Sequence, residues 1–118
     1  KSMAMALKNT NISEVDAIVM HAPGTKVGDL SEIKAIKKIF GEKVPLLTSN
    51  KWKIGHTFGA SGMLSVSLAL LTMREQRFVG VPFTEVKSNQ TIIRKVLVNA
   101  VGFGGNAVSI LLSISAKA

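Results

Sequence analysis

From Val15 to His21 the chain is a short apolar run rich in β-formers (Val15, Ile18, Val19), a pattern that predicts a buried strand. Turn residues follow, Ala22-Pro23-Gly24-Thr25, with Gly28 just beyond. Asp29 then reads as a helix N-cap with Glu32, three residues on, as its capping-box partner. Ile33, Ile36 and Phe40 fall at helical spacing, and Gly41 ends that helix. Val44 to Ser49 is a second strand. From about Thr57 to Gln76 apolar residues occupy every side, which predicts a long helix buried all round. Its first turns hold Gly59, Ala60, Ser61 and Gly62, small enough to let another backbone approach. The chain then turns through Val81-Pro82, and two strands, Lys95 to Val101 and Asn106 to Ser115, flank Gly102-Phe103-Gly104-Gly105 in a hairpin-like connection. Lys1 to Asn9 reads as the tail of a helix.

Strand, helix, strand, buried helix, strand, strand is the order of a mixed α/β layer. No internal repeat, low-complexity segment or linker divides it, so residues 1–118 are read as one domain. A helix apolar on all sides needs cover on more faces than these few elements offer. The expectation is therefore that the domain packs against further chain or a second subunit.

Composition sharpens this picture in three ways. The hydrophobic fraction of 47% is high for a small soluble domain and fits a core, or surface meant to be covered. The absence of cysteine excludes disulfides, thiolate metal sites and a Cys nucleophile within these residues. The net charge of +8 raises nucleic acid, an anionic membrane surface or an acidic protein as partners. The basic residues are scattered (Lys34, Lys37 and Lys38; Lys51 and Lys53; Arg94 and Lys95) and lack interleaved aromatics, which speaks against nucleic acid. The longest apolar stretch, Met63 to Met73, is shorter than the roughly 20 residues that span a bilayer. No signal peptide is visible, and the cytoplasm is the expected location.

Two histidines stand where strands give way to Gly-rich turns. His21 closes the first strand, and His56 opens the buried helix behind Gly55. Lys51 follows the second strand, so two strand ends could bring His21, Lys51 and His56 together where ligands gather in open α/β sheets. A helix N-terminus supplies free N–H groups near a developing oxyanion, and a neutral His could donate to a thioester oxygen. The plainer reading of each lone histidine is structural. Other patterns fail. Gly102-Phe103-Gly104-Gly105-Asn106-Ala107 matches G-x-G-x-x-G/A but precedes a strand, not a helix, and lacks an acidic residue downstream. The histidines form no H-E-x-x-H and have no carboxylate pair, so no metal site is expected. Ser61 lies outside any G-x-S-x-G and reads as a packing residue.

The segment His21-Ala22-Pro23-Gly24-Thr25-Lys26-Val27-Gly28-Asp29-Leu30-Ser31-Glu32 resembles the H-G-T-x-T-x-x-G-D-x-x-E stretch of β-ketoacyl-acyl-carrier-protein synthases. Lys51-Trp52-Lys53-Ile54-Gly55-His56 with Gly59-Ala60-Ser61-Gly62 is similar to that family's K-S-x-x-G-H-x-x-G-A-A-G. Asn99 with Gly102-Phe103-Gly104-Gly105 looks like its N-S-F-G-F-G-G-T-N. The resemblance implies the C-terminal half of a thiolase-like α/β fold, a mixed sheet with a buried central helix, whose other half holds the nucleophilic Cys. It implies decarboxylative Claisen condensation of an acyl thioester with malonyl-carrier protein, in fatty-acid or polyketide-type synthesis. It makes His21 and His56 the paired histidines that help decarboxylate malonyl and hold the thioester oxygen. Lys51, held by Glu32, orders the site; Phe103 is the gating phenylalanine with an oxyanion-hole N–H; Thr25 contacts the phosphopantetheine arm. No bound cofactor is implied, the substrate riding on the phosphopantetheine of acyl-carrier protein. A homodimer, or a heterodimer with a related subunit, is implied as well.

Three departures bear on carrier recognition and chain length more than on the core chemistry. Ala22-Pro23 replaces Gly-Thr, Trp52 replaces a Ser, and the Thr between Gly105 and Asn106 is missing or replaced by Asn106 itself. The rival reading is a non-catalytic partner subunit of the chain-length-factor type, against which the retention of both histidines and Lys51 argues.

Overall fold

β-Branched and apolar residues place a strand at the centre of this sheet because both of its faces are covered. In β1 (Ala17–Val19) no residue is more than 1% exposed. The structure, a computed structural model, describes residues 1–22, 25–49, 61–77, 92–101 and 106–114, with residues 61 and 62 as backbone only. Within these, α1 (Ser2–Ala6) and a 3-10 turn (Ile12–Glu14) precede β1, α2 (Lys26–Phe40) leads to β2 (Leu46–Thr48), and α3 (Ser61–Glu75) precedes β3 (Lys95–Val101) and β4 (Ala107–Ser113). The strand order is β2-β1-β3-β4. β1 runs parallel to both β2 and β3, while β3 and β4 pair antiparallel with Val101 opposite Ala107.

The two-residue period of the strands divides the core. Ile18, Met20 and Leu97 pack with Met3, Leu7, Ile36 and Phe40 of the α1 and α2 layer. Ala17, Val19, Val96 and Val98 turn the other way, onto Ala69 and Met73 of α3. The expected mixed α/β layer is thus a sheet with helices on both faces. Among the described residues, no helix is long and apolar enough to cross a membrane.

Strand ends lie within a few residues of expectation, β1 and β2 being shorter than read; single bridging bonds (Asp16 N–H to Lys95 O, Met20 N–H to Thr48 O) continue the ladder beyond β1. Helix α2 starts earlier than the pattern predicts. Thr25, not Asp29, is its N-cap, the Thr25 hydroxyl accepting the Gly28 N–H at 3.1 Å. Asp29 therefore lies in the first helical turn, where a carboxylate complements the helix dipole. Glu32 makes no capping box, because its carboxylate is engaged outside the helix. Gly41 ends α2 with φ 66°, as its lack of a side chain permits.

Helix α3 departs more instructively. Its Ala69, Thr72 and Met73 are buried, yet Met63, Leu70 and Leu71 are each more than half exposed. One face only is covered by the described residues, although the sequence pattern predicts cover all round. Residues 57–60, expected to begin this helix, lie outside the described residues, as does the turn at Val81-Pro82.

Two polar clamps hold the opposite end of the sheet from the histidine. Asp16 accepts the N–H groups of Arg94 and Lys95 at 2.7 and 3.0 Å, fixing where β3 begins beside β1. Gln76, just past α3 with φ 53°, pairs with both backbone groups of Ile93, donating to its carbonyl at 2.8 Å and accepting its N–H at 2.7 Å. Ile93 is buried, so its backbone depends on this amide. Gln76→Ala is expected to lower stability by about 2 kcal/mol, the cost of orphaning buried backbone groups. The urea midpoint of the full-length protein checks this; an unchanged midpoint would mean that water replaces the amide.

Candidate functional site at the strand ends

Parallel strands bring like ends together, so the C-terminal ends of β1 and β3 lie side by side with Val19 opposite Val98. His21 lies two residues beyond β1 and is buried. The Val101 N–H, at the end of β3, donates to His21 Nδ1 at 3.2 Å. A ring nitrogen that accepts carries no proton, so the neutral imidazole bears its hydrogen on Nε2.

The loop behind the ring is held by Glu32. Its Oε1 accepts the His21 N–H and its Oε2 the Ala22 N–H, each at 2.8 Å. Such backbone donors at a strand end otherwise face a buried environment without partners. Asn99 adds a third donor, its Nδ2 lying 3.3 Å from Glu32 Oε1. Asn99 is itself buried in β3, and its Oδ1 accepts the Ser109 hydroxyl of β4 at 2.8 Å. The carboxylate thus joins α2 to both central strands at the point where His21 emerges.

Ala22 takes φ 30° in a buried position, on the positive side that favours glycine. The family motif described above has Gly here, so this chain accommodates a Cβ in a conformation that costs about 1–2 kcal/mol. Ala22→Gly relieves that strain but frees the unfolded chain by about 0.4–1 kcal/mol, and is expected to be near neutral. Ala22→Val, with a branched side chain at positive φ, is expected to cost more than about 2 kcal/mol. Comparing the unfolding midpoints of the two full-length variants tests this, and a tolerated valine would sink it.

Of the residues singled out from the sequence, His21 and Glu32 come together, joined through the backbone N–H groups of His21 and Ala22. The expectation that Glu32 holds Lys51 is not reached by the description, since Lys51, His56 and Phe103 all lie outside the described residues. Glu32's described partners are the His21–Ala22 turn and Asn99. Thr25 is exposed and caps α2, a use of its oxygen that sequence reading did not assign. Sequence reading also passed over Asn99 as a site residue and the Val101 N–H. The signal for the first was present: Asn99 is the lone amide in the apolar run from Val96 to Val101. For the second there was none, since a backbone donor leaves no mark on composition.

Comparison with known proteins agrees with this architecture. A family model described as "Beta-ketoacyl synthase, C-terminal domain" matches residues 1–100. The chain is 35% identical, over 95% of its length, to 3-oxoacyl-[acyl-carrier-protein] synthase 1 of Buchnera aphidicola from Acyrthosiphon pisum, covering 30% of that protein. It is 33% identical to the synthase 1 of Haemophilus influenzae, over 92% of this chain and 29% of that protein. It spans about a third or less of these curated relatives. Among solved structures, the Xenorhabdus doucetiae ketosynthase ApeO in complex with its chain length factor ApeC is similar at a TM-score of 0.81 and 29% identity, covering 97% of this chain and 32% of that one. The ishigamide ketosynthase/chain length factor shares the fold at a TM-score of 0.84, with 24% identity and coverage of 96% and 32%. A sheet that ends in a buried, backbone-held histidine, matched over residues 1–100 by that family's model, places the chain in the β-ketoacyl synthase family, as its C-terminal domain.

Proposed function

We propose that this chain is the C-terminal half of an active condensing enzyme that joins an acyl thioester to malonyl-carrier protein with loss of CO2. The observation that carries the reading is the buried His21 ring, held at Nδ1 by the Val101 N–H so that its hydrogen lies on Nε2. A neutral donor of this kind stabilises an oxygen that gains charge without surrendering its proton to it.

In the proposed reaction the malonyl C–C bond breaks, CO2 leaves, and the electron pair becomes an enolate whose charge gathers on the thioester oxygen. His21 Nε2–H donates to that oxygen. The enolate carbon then attacks the acyl thioester carbonyl; the new C–C bond forms as the acyl-carrying thiolate departs. That thiolate is a Cys assigned to the N-terminal half. β2 ends at Thr48 at the same end of the sheet as β1 and β3. His56 serves as the second donor, Lys51 sets the local field, Phe103 gates the acyl side and supplies an oxyanion N–H, and Thr25 contacts the phosphopantetheine arm. The reaction uses no resident cofactor or metal; phosphopantetheine arrives with the carrier.

The uncovered face of α3 (Met63, Leu70 and Leu71) fits this assignment, since relatives about three times longer have further chain to lay over it. The partner is an acidic acyl-carrier protein, whose approach the net charge of +8 favours. The working assembly is a homodimer or a heterodimer with a related subunit, in the cytoplasm. Charge reversal at Lys51 and Lys53 that left carrier binding intact would remove these two from the encounter.

The deciding experiment is malonyl-carrier decarboxylation by the full-length gene product. CO2 release lost in His21→Ala and in His56→Ala supports a working synthase. A silent protein that a separate synthase needs for product length makes the chain a partner subunit of the chain-length-factor type.

A further inference from the structure

Asn99 is tied into this site more completely than a packing residue requires. Its Oδ1 accepts from Ser109 at 2.8 Å, and its two Nδ2 hydrogens have Glu32 Oε1 and Met3 Sδ as partners, each at 3.3 Å. Ser109 Oγ in turn lies 3.1 Å from the Ser2 hydroxyl of α1. The chain of contacts therefore runs from α1 through β4 and β3 to the Glu32 carboxylate on α2. It ends on the N–H groups of His21 and Ala22, the latter at positive φ.

We propose that Asn99, oriented by Ser109, is a positioning residue for the His21 imidazole. Resting on the synthase reading for its catalytic consequence, the inference concerns how the donor is aimed. A carboxylate can accept in many directions, and Glu32 reaches the His21 turn from a long, flexible side chain. The Asn99 amide restricts Oε1 to the direction in which the His21 N–H also meets it. Because Asn99 and Val101 lie on the same strand and face, one rigid element sets both the carboxylate behind the ring and the N–H in front of it. Loss of the amide lets the turn move relative to the Val101 N–H, and the ring loses the contact that fixes its tautomer.

The test uses the full-length protein, with malonyl-carrier decarboxylation read beside the imidazole ¹⁵N spectrum of His21. In Asn99→Ala, kcat is expected to fall between about 10- and 100-fold, as for displacements near 1 Å at a reacting group, with KM for malonyl-carrier protein unchanged. The ¹⁵N spectrum is expected to change from the single Nε2–H tautomer to a mixture. Ser109→Ala, a milder change, is expected to give the same pattern at smaller amplitude. Asn99→Asp separates positioning from packing. The new carboxylate faces Glu32, and such a pair holds a shared proton at pH values where a lone carboxylate does not. Its rate is expected to recover relative to wild type as the pH falls and the protonated acid again donates to Glu32. An Asn99→Ala variant with wild-type kcat overturns the proposal, as does an Asn99→Asp profile parallel to wild type at all pH values. If the wild-type protein releases no CO2, the synthase reading fails, and the His21 spectrum still decides: an unchanged tautomer in both Asn99→Ala and Ser109→Ala overturns the positioning role.

Discussion

In the full-length protein, His21→Ala is expected to lower the rate of malonyl-carrier decarboxylation about 10²–10³-fold, the usual cost of removing one preorganised donor from a developing oxyanion. The ring accepts the Val101 N–H, and the loss of that acceptor leaves this backbone donor without it, at a cost of about 1 kcal/mol for that bond. The folded protein should therefore persist while its chemistry fails. KM for the carrier is expected to stay near wild type, because the proposed bond strengthens only as charge gathers on the thioester oxygen. Single-turnover CO2 release, with carrier binding measured separately, checks both statements. A rate within a few-fold of wild type would remove His21 from the mechanism.

Glu32→Ala is expected to be the most destabilising single change at the site, at about 3 kcal/mol. The carboxylate accepts from three donors, the N–H groups of His21 and Ala22 and the Asn99 amide. His21, Ala22 and Asn99 are all buried, and each donor left without a partner costs about 1–3 kcal/mol. Glu32 itself is only partly buried, so water will reach some of the vacated space and hold the total toward the lower end of that sum. Glu32→Gln distinguishes geometry from bulk. An amide has one acceptor oxygen where two are used, and its NH2 would confront a backbone donor. About half of the alanine cost is therefore expected, together with a fall in decarboxylation as the His21 turn loosens. Urea midpoints for both full-length variants test this. Glu32→Gln with wild-type stability and activity would show that the two 2.8 Å bonds do not hold the turn.

The two predictions differ because the two residues act at different distances from the chemistry. In the proposed reaction His21 donates Nε2–H to the substrate oxygen, so its loss is expected to appear in the rate. Glu32 spends its oxygens on the backbone that carries His21, so its loss appears first in stability and only through position in the rate.

Much of this was legible in the residues themselves. Hydrophobic periodicity is a local property, and the runs at Val15–His21 and Lys95–Val101, the helical spacing of Ile33, Ile36 and Phe40, and the stop at Gly41 each report structure within a few residues. The all-round apolar character of α3 also carried real information, since its exposed Met63, Leu70 and Leu71 ask for cover that the described residues do not supply. The identity of His21 as a candidate followed from its place at a strand end. What the tertiary structure alone decided was partnership across long sequence separations. Glu32 looked like a helix-capping residue because its nearest donors in sequence are the helix's own; folding instead set it against the N–H groups of His21 and Ala22 beyond β1. Likewise, Asn99 acquired a role only when β4, α1 and α2 converged on it, and the tautomer of His21 depends on a backbone N–H eighty residues away. Periodicity cannot encode such pairings, because a hydrogen bond is satisfied by proximity in space and adjacent strands ignore the length of chain between them.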